Sequence, residues 1–529
     1  MSEKTYPSIN DLTLEEKASL TSGGDAWHLQ GVEAKGIPGY MITDGPHGLR
    51  KSNSATTGEV DLNNCVPATC FPPAAGLSSS WNPELIHQVG EAMAEECIQE
   101  KVAVILGPGV NIKRNPLGGR CFEYWSEDPY LAGHEAIGIV AGVQSKGVGT
   151  SLKHFAANNQ ETDRLRISAN ISQRALREIY FPAFEHIVKE AQPWTIMCAY
   201  NCINGVHAAQ DRWLLTDVLR DEWGFQGIVM SDWGADHDRV ASLNAGLNLE
   251  MPPSYTDDQI VYAARDGRIQ PAQLDRMAQG MIDLVNKTRA AMSVENYRFD
   301  IEAHDEVAHQ AAVESMVLLK NDDAILPVAG DAKVTVIGEF ARTPRYQGGG
   351  SSHITPTKMT SFLDALTERG VDAKFAPGFT LDLEPADPAL EAEAVEAAKG
   401  ADVVLMFLGL PEAAESEGFD RETLDMPAKQ IALLEAVAAE NKNVVVVLSN
   451  GSVVTVAPWA KNAKGILESW LLGQSGGPAL ADVLFGKVSP SGKLAQTIPF
   501  DINDDPSTIN WPGEEGHVDY GEGVFVGYR

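Results

Sequence analysis

Short apolar runs alternate with amphipathic runs along the first half of the chain. Six of the apolar runs have the length and composition of strands that are buried on both faces of a parallel sheet. They are residues 40–43, 102–106, 149–152, 195–198, 227–230 and 247–251. The segments between them, such as residues 83–99, 172–190 and 211–223, have helical periodicity. This alternation over roughly 250 residues predicts a barrel of parallel strands, with a doubly wound sheet as the alternative.

A second strand–helix series follows a polar stretch near residues 293–305. Its apolar runs are residues 334–338, 401–409, 444–449 and 465–470. We therefore predict an α/β protein with two domains. The predicted divisions are a barrel over residues 1–295, a linker over 296–305, a layered α/β domain over 306–515 and a tail over 516–529.

The size and charge of the chain narrow the class of protein and of partner. A chain of 529 residues exceeds what one core usually holds, and 44% hydrophobic with 22% charged residues is typical of a soluble globular protein. The net charge of −32, from 41 basic and 73 acidic residues, argues against nucleic acid and anionic membranes as partners. A neutral ligand such as a sugar is compatible with this charge.

The sequence also carries an expectation about location. Residues 1–7 lack the apolar segment of a signal peptide, and no uninterrupted apolar run reaches membrane-spanning length. We therefore expect a cytoplasmic protein without membrane partners. The pattern leaves the oligomeric state open, a homo-oligomer included.

Asp232 is the leading candidate for chemistry. It stands just after the apolar run 227–230, separated from it only by Ser231, and is followed by Trp233, whose indole offers a flat face for stacking on a sugar ring. The carboxyl ends of parallel strands are where α/β folds place their active sites. An isolated aspartate at such a position more often caps the next helix. The other residues at the strand ends must therefore decide between a structural and a catalytic role for Asp232.

The other predicted strands deliver polar groups to the same end of the barrel. The candidate substrate-binding residues are Asp44, Arg50, Arg120, Lys153, His154, Met197, Tyr200 and Trp233. Each alone has a structural explanation, such as an ion pair or a turn, but five strand ends that converge on one mouth favour a shared site. Donors and acceptors in this mixture suit adjacent sugar hydroxyls, whereas a metal would need a denser cluster of histidines and carboxylates.

Hydrolysis of a glycoside requires an ionised nucleophile and a protonated general acid. Lys153 and Arg120 would keep Asp232 ionised. The first domain offers no equally convincing acid, because Glu123 and Glu127 are expected to pair with arginines of their own loop.

The acid is expected from the second domain. Three glutamates compete in the acidic segment 412–421, which follows the run 401–409. Glu417 stands out because Gly418 allows a tight turn and Asp420 with Arg421 can brace it. Its role as an acid requires a raised pKa, which we expect from partial burial between the domains.

Six segments, taken in order, resemble glycoside hydrolase family 3 in its β-glucosidase branch. They are residues 43–46 (TDGP), 119–123 (GRCFE) with 126–129 (SEDP), 153–155 (KHF), 197 with 199–201 (AYN), 230–233 (MSDW) and 416–421 (SEGFDR). The resemblance covers nearly the whole chain. It implies a (β/α)8-type barrel followed by an α/β sandwich, and many similar family members continue past the position of residue 529 into a fibronectin-like domain.

The resemblance also assigns roles. It implies that Asp232 is the nucleophile, that Glu417 is the general acid/base and that Trp233 flanks the aglycone. The residues that it places around the non-reducing sugar are Asp44, Arg120, Lys153, His154 and Tyr200. The expected protein is a retaining exo-β-glucosidase that acts on a small or oligosaccharide β-glucoside and needs no metal or organic cofactor. The alternatives are a β-xylosidase or α-arabinofuranosidase of the same family, and a catalytically silent sugar-binding protein.

Overall fold

The computed structural model describes residues 8–53, 64–383 and 385–529, so the start of the chain that bears on a signal peptide lies outside the described residues. The first half contains a curled sheet of five parallel strands. In spatial order they are β1 (Met41–Asp44), β2 (Val102–Leu106), β3 (Gly149–Phe155), β4 (Thr195–Cys198) and β5 (Ile228–Ser231). Every residue of these strands is buried. Their nearly continuous apolar sequence is typical of a parallel sheet that is covered on both faces.

The sixth predicted strand, residues 247–251, closes this sheet irregularly. Leu249 pairs with Met230 through a single parallel bridge, while the side chain of Asn248 accepts the N–H of Val229 at 2.9 Å in place of a ladder partner. Single bridges then join Glu250 to Ser22, and His28 to Met41 of β1. The sheet is therefore closed through residues 22–28. Eight regular strand–helix repeats are not seen among the described residues.

Helices surround the curled sheet. The helices of this half are Leu14–Ser19, Ala74–Ser80, Pro83–Glu100, Pro129–Ser145, Gln173–Ala175, Pro182–Ala191, Arg239–Ala245, Asp257–Asp266 and Pro271–Met292, with π-helical turns at Leu176–Tyr180 and Trp213–Glu222. The helices Pro83–Glu100 and Pro129–Ser145 can approach closely because Gly142 has no side chain. A Cβ at this position would lie 2.2 Å from the carbonyl oxygen of His87. Only glycine fits at this crossing.

The second domain is a six-stranded sheet covered by helices. Its strands are β6 (Val317–Asn321), β7 (Val334–Ile337), β8 (Ala373–Ala376), β9 (Val403–Gly409), β10 (Val444–Ser449) and β11 (Gly465–Glu468). The spatial order is β6-β11-β10-β9-β7-β8, with β6 as an antiparallel edge and the other pairs parallel. Its helices are Phe362–Glu368, Pro388–Ala398, Ala428–Glu440 and Gly476–Leu484. This is the second, layered α/β unit that the sequence predicts.

The helix Ile301–Ser315 connects the two halves. It begins inside the predicted linker 296–305, because the carboxylate of Asp300 accepts the N–H groups of Glu302 and Ala303, each at 3.1 Å, and so caps it. Along one helix, Ala308 and Ala311 join the first core while Ala312 and Val313 join the second. Irregular chain is thus limited to the start of the predicted linker, and the exact domain division stays a prediction.

The C-terminal segment returns to the first domain. His517–Asp519 forms a short parallel strand beside Ser168–Asn170. The side chain of Glu522 accepts hydrogen bonds from Arg114 at 2.6 and 2.9 Å in a fully buried ion pair. A further pair of short strands, Pro67–Ala68 with Thr355–Pro356, joins the halves elsewhere. The predicted tail is therefore a packed part of the fold.

Candidate active site

Asp232 lies directly after β5, at the mouth of the curled sheet. Its Oδ1 accepts the N–H of Trp233 at 2.7 Å, and its Oδ2 lies 3.7 Å from Nε2 of His154. Burial raises the pKa of Asp232 above its ordinary value, while the positive charges of Arg120 and Lys153 lower it. The two cations that the sequence assigns to this carboxylate therefore oppose its desolvation.

Glu417 reaches the same site from the loop after β9. Its Oε1 lies 2.9 Å from Nη1 of Arg164 and 3.5 Å from Nη1 of Arg120, and its Oε2 accepts the N–H of Ser351 at 2.7 Å. Burial alone would raise its pKa, but these two guanidinium groups and the N–H of Ser351 hold the pKa of Glu417 well below its usual range. The expectation of a raised pKa is wrong for this arrangement, because burial between the domains brings two arginines with it.

The structure separates the three competing glutamates of the acidic loop. Glu415 is fully buried and accepts hydrogen bonds from the N–H of Gly451 at 2.6 Å and from the N–H and hydroxyl of Ser452 at 2.9 and 2.7 Å. Glu412 is exposed in a short 3-10 turn. Glu415 therefore anchors the loop, and Glu417 is the member that is ion-paired to arginines of the first domain.

Asp420 attaches this loop to the first domain. Its carboxylate accepts the backbone N–H groups of Gly119 and Glu161, each at 2.9 Å, and that of Thr162 at 2.8 Å. Gly119 allows the contact, because a Cβ at this position would lie 1.8 Å from the carbonyl oxygen of Phe419. Asp420 thus braces the turn that carries Glu417.

Asp44 and Arg50 form a buried pair at the end of β1. Nη1 of Arg50 donates to Oδ2 of Asp44 at 2.8 Å. Burial raises the pKa of Asp44 to about 6, against the opposing charges of Lys153 and Arg50. The Nε and Nη2 atoms of Arg50 are buried without a hydrogen-bond partner in the described part of the chain. Buried donors of this kind are suited to a polar ligand.

Glu123 balances the two other cations of the site. It accepts from Nε and Nη2 of Arg120 at 2.8 and 2.9 Å, as the sequence predicts, and lies 3.4 Å from Nζ of Lys153. Glu127 differs from its prediction: its carboxylate accepts the N–H and hydroxyl of Thr497 at 2.9 and 2.6 Å. Both glutamates are therefore structural.

His154 follows Lys153 on β3 and is held by Tyr124, whose hydroxyl lies 3.1 Å from Nδ1. Burial, with the neighbouring positive charges of Arg120 and Lys153, holds the pKa of His154 well below its usual range. Its ring is therefore neutral beside Asp232 and can exchange a hydrogen bond with a sugar hydroxyl.

Tyr200 and Trp233 form one wall of the mouth. The hydroxyl of Tyr200 donates to the carbonyl of Trp233 at 3.1 Å, and the indole Nε1 donates to the carbonyl of Ala26 at 3.0 Å. The ring of Trp27 lies 5.4 Å from that of Trp233. Met197 is buried in β4 opposite Met230, and its contact with substrate stays a prediction.

Three residues of the site do not appear among the sequence predictions. Arg164 and Glu161 lie in the loop after β3, and Ser351 lies in the glycine-rich segment 347–353 of the second domain. That segment contacts the first domain, where Oε1 of Gln347 lies 3.4 Å from Nε2 of His47. The residues of these loops follow no periodic pattern of apolar and polar positions. Only the positive charge of Arg164 could therefore have marked it as a candidate in the sequence.

Two further classes of feature bear on cofactor and location. Among the described residues, no three histidine, cysteine, aspartate or glutamate side chains are grouped as a metal site requires. Within the same part of the chain, no helix combines the length and apolarity needed to cross a bilayer.

Comparison with family models gives two matches. The model of the glycosyl hydrolase family 3 N terminal domain matches residues 52–284, and that of the family 3 C-terminal domain matches residues 316–528. Together they cover most of the chain and both of its sheets.

Curated relatives differ in the activity that their names give. An exo-α-(1→6)-L-arabinopyranosidase of Bifidobacterium breve is 87% identical, over all of this chain and 71% of the relative. One of Bifidobacterium longum is 86% identical with the same coverage. The thermostable β-glucosidase B of Acetivibrio thermocellus is 51% identical over 98% of this chain and 69% of its own length.

Solved structures agree with the fold. The crystal structure of a GH3 β-glucosidase of Bifidobacterium adolescentis is 88% identical with a TM-score of 0.96, covering 99% of this chain and 76% of that chain. β-Glucosidase 3B of Thermotoga neapolitana in complex with glucose is 35% identical with a TM-score of 0.89, over 98% of this chain and 79% of that chain. With its two sheets, its opposed carboxylates and these matches, the chain belongs to glycoside hydrolase family 3.

Proposed function

We propose that this glycosidase is a retaining, exo-acting enzyme that removes terminal β-D-glucosyl residues, with Asp232 as nucleophile and Glu417 as general acid/base. The observation that carries the proposal is that a carboxylate from each domain lies in the field of the same arginine. Arg120 lowers the pKa of both Asp232 and Glu417. Double displacement uses two carboxyl groups about 5–5.5 Å apart on opposite sides of the glycosidic bond.

The chemistry proceeds in two steps. Asp232 attacks the anomeric carbon while Glu417 gives its proton to the leaving oxygen, which forms a glycosyl-enzyme and releases the aglycone. Glu417, now ionised, removes a proton from a water molecule as the oxygen of that water attacks the anomeric carbon, which breaks the bond to Asp232 and releases the sugar. The ion pairs of Glu417 favour its ionised form, which the second step needs. The site must therefore provide a way to protonate Glu417 before the first step.

The substrate pocket supports binding of a neutral sugar. Asp44 can accept from the 4- and 6-hydroxyls of a hexose, Arg50 beside it has two buried donor atoms with no partner among the described residues, and neutral His154 faces Asp232. The indole of Trp233 is held at the wall by Ala26. This arrangement supports glucose as the glycone, and in this proposal Trp233 flanks the aglycone.

A second glycone is favoured by one specific observation. Relatives at 86 and 87% identity are named exo-α-(1→6)-L-arabinopyranosidase, whereas a structure at 88% identity is of a β-glucosidase. An α-L-arabinopyranosyl residue presents its anomeric bond as a β-D-hexoside does, but it lacks C6 and has an axial 4-hydroxyl. The same two carboxylates can cleave either sugar, and the Asp44–Arg50 pair would decide between them. A β-xylosidase or α-arabinofuranosidase has no comparable support.

The test combines trapping with kinetics. The protein is incubated with the 2-deoxy-2-fluoro derivatives of an activated β-D-glucoside and of an activated α-L-arabinopyranoside, and peptides are mapped by mass. Label on Asp232 supports the mechanism, and absence of label from both reagents would identify a silent sugar-binding protein. A comparison of kcat/KM on the two nitrophenyl glycosides then decides the glycone, and preference for the arabinopyranoside would replace glucose.

A further inference from the structure

Glu161 is a buried glutamate that joins the loop after β3 to the loop of Glu417. Its Oε2 accepts Nη1 of Arg164 at 2.6 Å and the backbone N–H of Gly418 at 2.8 Å. Its own backbone N–H donates to Oδ1 of Asp420 at 2.9 Å. The side chain is therefore fixed beside the residue that follows Glu417.

Arg164 is shared between two carboxylates. The same Nη1 atom lies 2.6 Å from Oε2 of Glu161 and 2.9 Å from Oε1 of Glu417. Two carboxylates around one guanidinium group compete for its charge, and interacting acids of this kind titrate as a pair rather than singly. Burial raises the pKa of Glu161 to about 7, whereas Arg120 and Arg164 hold that of Glu417 low despite its burial. Near neutral pH Glu161 is therefore protonated part of the time, while Glu417 is ionised.

We propose that Glu161 is a positioning residue: through Arg164 it competes with Glu417 for positive charge and so lets Glu417 hold the proton that cleavage of the glycosidic bond requires. This inference rests on the proposed role of Glu417. Withdrawal of Arg164 from Glu417, with its hydrogen bond to Glu161 kept, favours transfer of the proton from Glu161 to Glu417, which leaves Glu161 ionised and Glu417 protonated. The proton count of the pair is unchanged.

The surroundings of Glu161 define what else could titrate there. The cations that lower its pKa are Arg120 and Arg164, and the ionised Glu417 raises it. Tyr124 also interacts with it electrostatically, and Asp420 binds its backbone. Tyr124 has a pKa far above neutrality because of its burial, so Glu161 and Glu417 are the members of this group that exchange a proton near pH 7.

The substitution E161Q separates positioning from structure. Glutamine keeps an oxygen for the N–H of Gly418 but cannot compete for charge, so Arg164 pairs with Glu417 alone. The alkaline limb of kcat/KM on a glycoside with a poor leaving group, such as methyl, is then expected to move to lower pH by about one unit. A 2,4-dinitrophenyl glycoside needs no protonation, so its rate is expected to change little.

The matched control is E135Q. Glu135 is also buried with a pKa raised to about 7, but it lies on the helix Pro129–Ser145 and lines a separate groove with Trp81 and Thr497. Its substitution is expected to leave both pH profiles in place. If E161Q failed to fold, E161D would carry the test, with a smaller shift in the same direction.

An unchanged alkaline limb in the folded variant, or equal losses on both leaving groups, would overturn the inference. Labelling of Asp232 by a 2-fluoro sugar with a dinitrophenyl leaving group reports separately on the proposed function. If Asp232 of the wild-type protein is labelled but the alkaline limb of E161Q does not move, only the role of Glu161 is rejected. A wild-type protein that does not label would reject the proposed function itself.

Discussion

The carboxylate of Asp420 accepts the backbone N–H of Gly119 at 2.9 Å, so a second-domain side chain is bound directly beside Arg120. The loop that carries Glu417 is therefore positioned against the first domain by hydrogen bonds as well as by ion pairs. This contact holds the turn that carries Glu417 beside the loop of Arg120.

The substitution D420N tests this positioning. In D420N an NH2 group replaces one of the two acceptor oxygens of Asp420. This donor would face a backbone N–H group, and the turn that carries Glu417 would shift. A displacement of about 1 Å can reduce turnover on the order of a hundredfold, so kcat/KM is expected to fall by about 10- to 100-fold. Steady-state kinetics and the Tm measure this, with the exposed Asp425 substituted as D425N for comparison. Wild-type kcat/KM in D420N would contradict the role.

Close approach at Gly119 gives a second prediction. In G119A the new methyl group would lie 1.8 Å from the carbonyl oxygen of Phe419 and 2.7 Å from that of Ser416, so the loop must move outward. We expect kcat/KM to fall by about a hundredfold. G330A is the control, because nothing lies within 4 Å of a Cβ there. Rapid labelling of Asp232 with slow turnover of poor leaving groups would locate the defect at Glu417.

Burial raises the pKa of Asp232, and nearby cations oppose this shift. As the proposed nucleophile, Asp232 must be ionised, so activity is expected to be lost as pH falls through its pKa. Lys153 lowers that pKa, and its removal in K153M is expected to raise it. The acid limb of kcat/KM on a dinitrophenyl glycoside should therefore move to higher pH by about one unit. K146M removes a surface lysine and should leave the limb unchanged; a limb that stays in place in K153M would exclude this charge effect.

The buried pair of Arg114 and Glu522 gives a prediction for stability. Both side chains are fully buried, and the guanidinium group of Arg114 also lies 3.8 Å from the ring centre of Tyr520. E522Q leaves the arginine charge without a counterion, which typically costs about 3–5 kcal/mol in the free energy of unfolding. Denaturant unfolding measures the loss. The exposed E514Q is expected to change stability by less than about 0.5 kcal/mol, and an equal effect of both variants would contradict the prediction.

The sequence predicts the parts of this molecule that depend on local pattern. Buried β-branched runs locate the strands, and Asp44 and Asp232 are found because each lies at the carboxyl end of one. The closure through residues 22–28 is missed because these residues make only isolated bridges, which leave no periodic signal in the sequence.

Long-range electrostatics is the part that the sequence does not give. Arg164 lies 253 positions from Glu417 in the chain, yet their side chains are 2.9 Å apart. Burial of Glu417 by itself predicts a raised pKa, and the opposite shift arises from cations whose proximity only the folded chain creates. Glu161 is missed for the same reason, because it too lies far from Glu417 in the sequence.

The segment that closes the curled sheet has a further consequence. Residues 22–28 include Ala26 and Trp27, which hold the indole of Trp233 in place. Closure of the sheet and the position of the Trp233 ring therefore depend on the same short segment. If Trp233 flanks the aglycone as proposed, side chains of residues 22–28 can change to suit a new aglycone while the backbone bridges stay as they are.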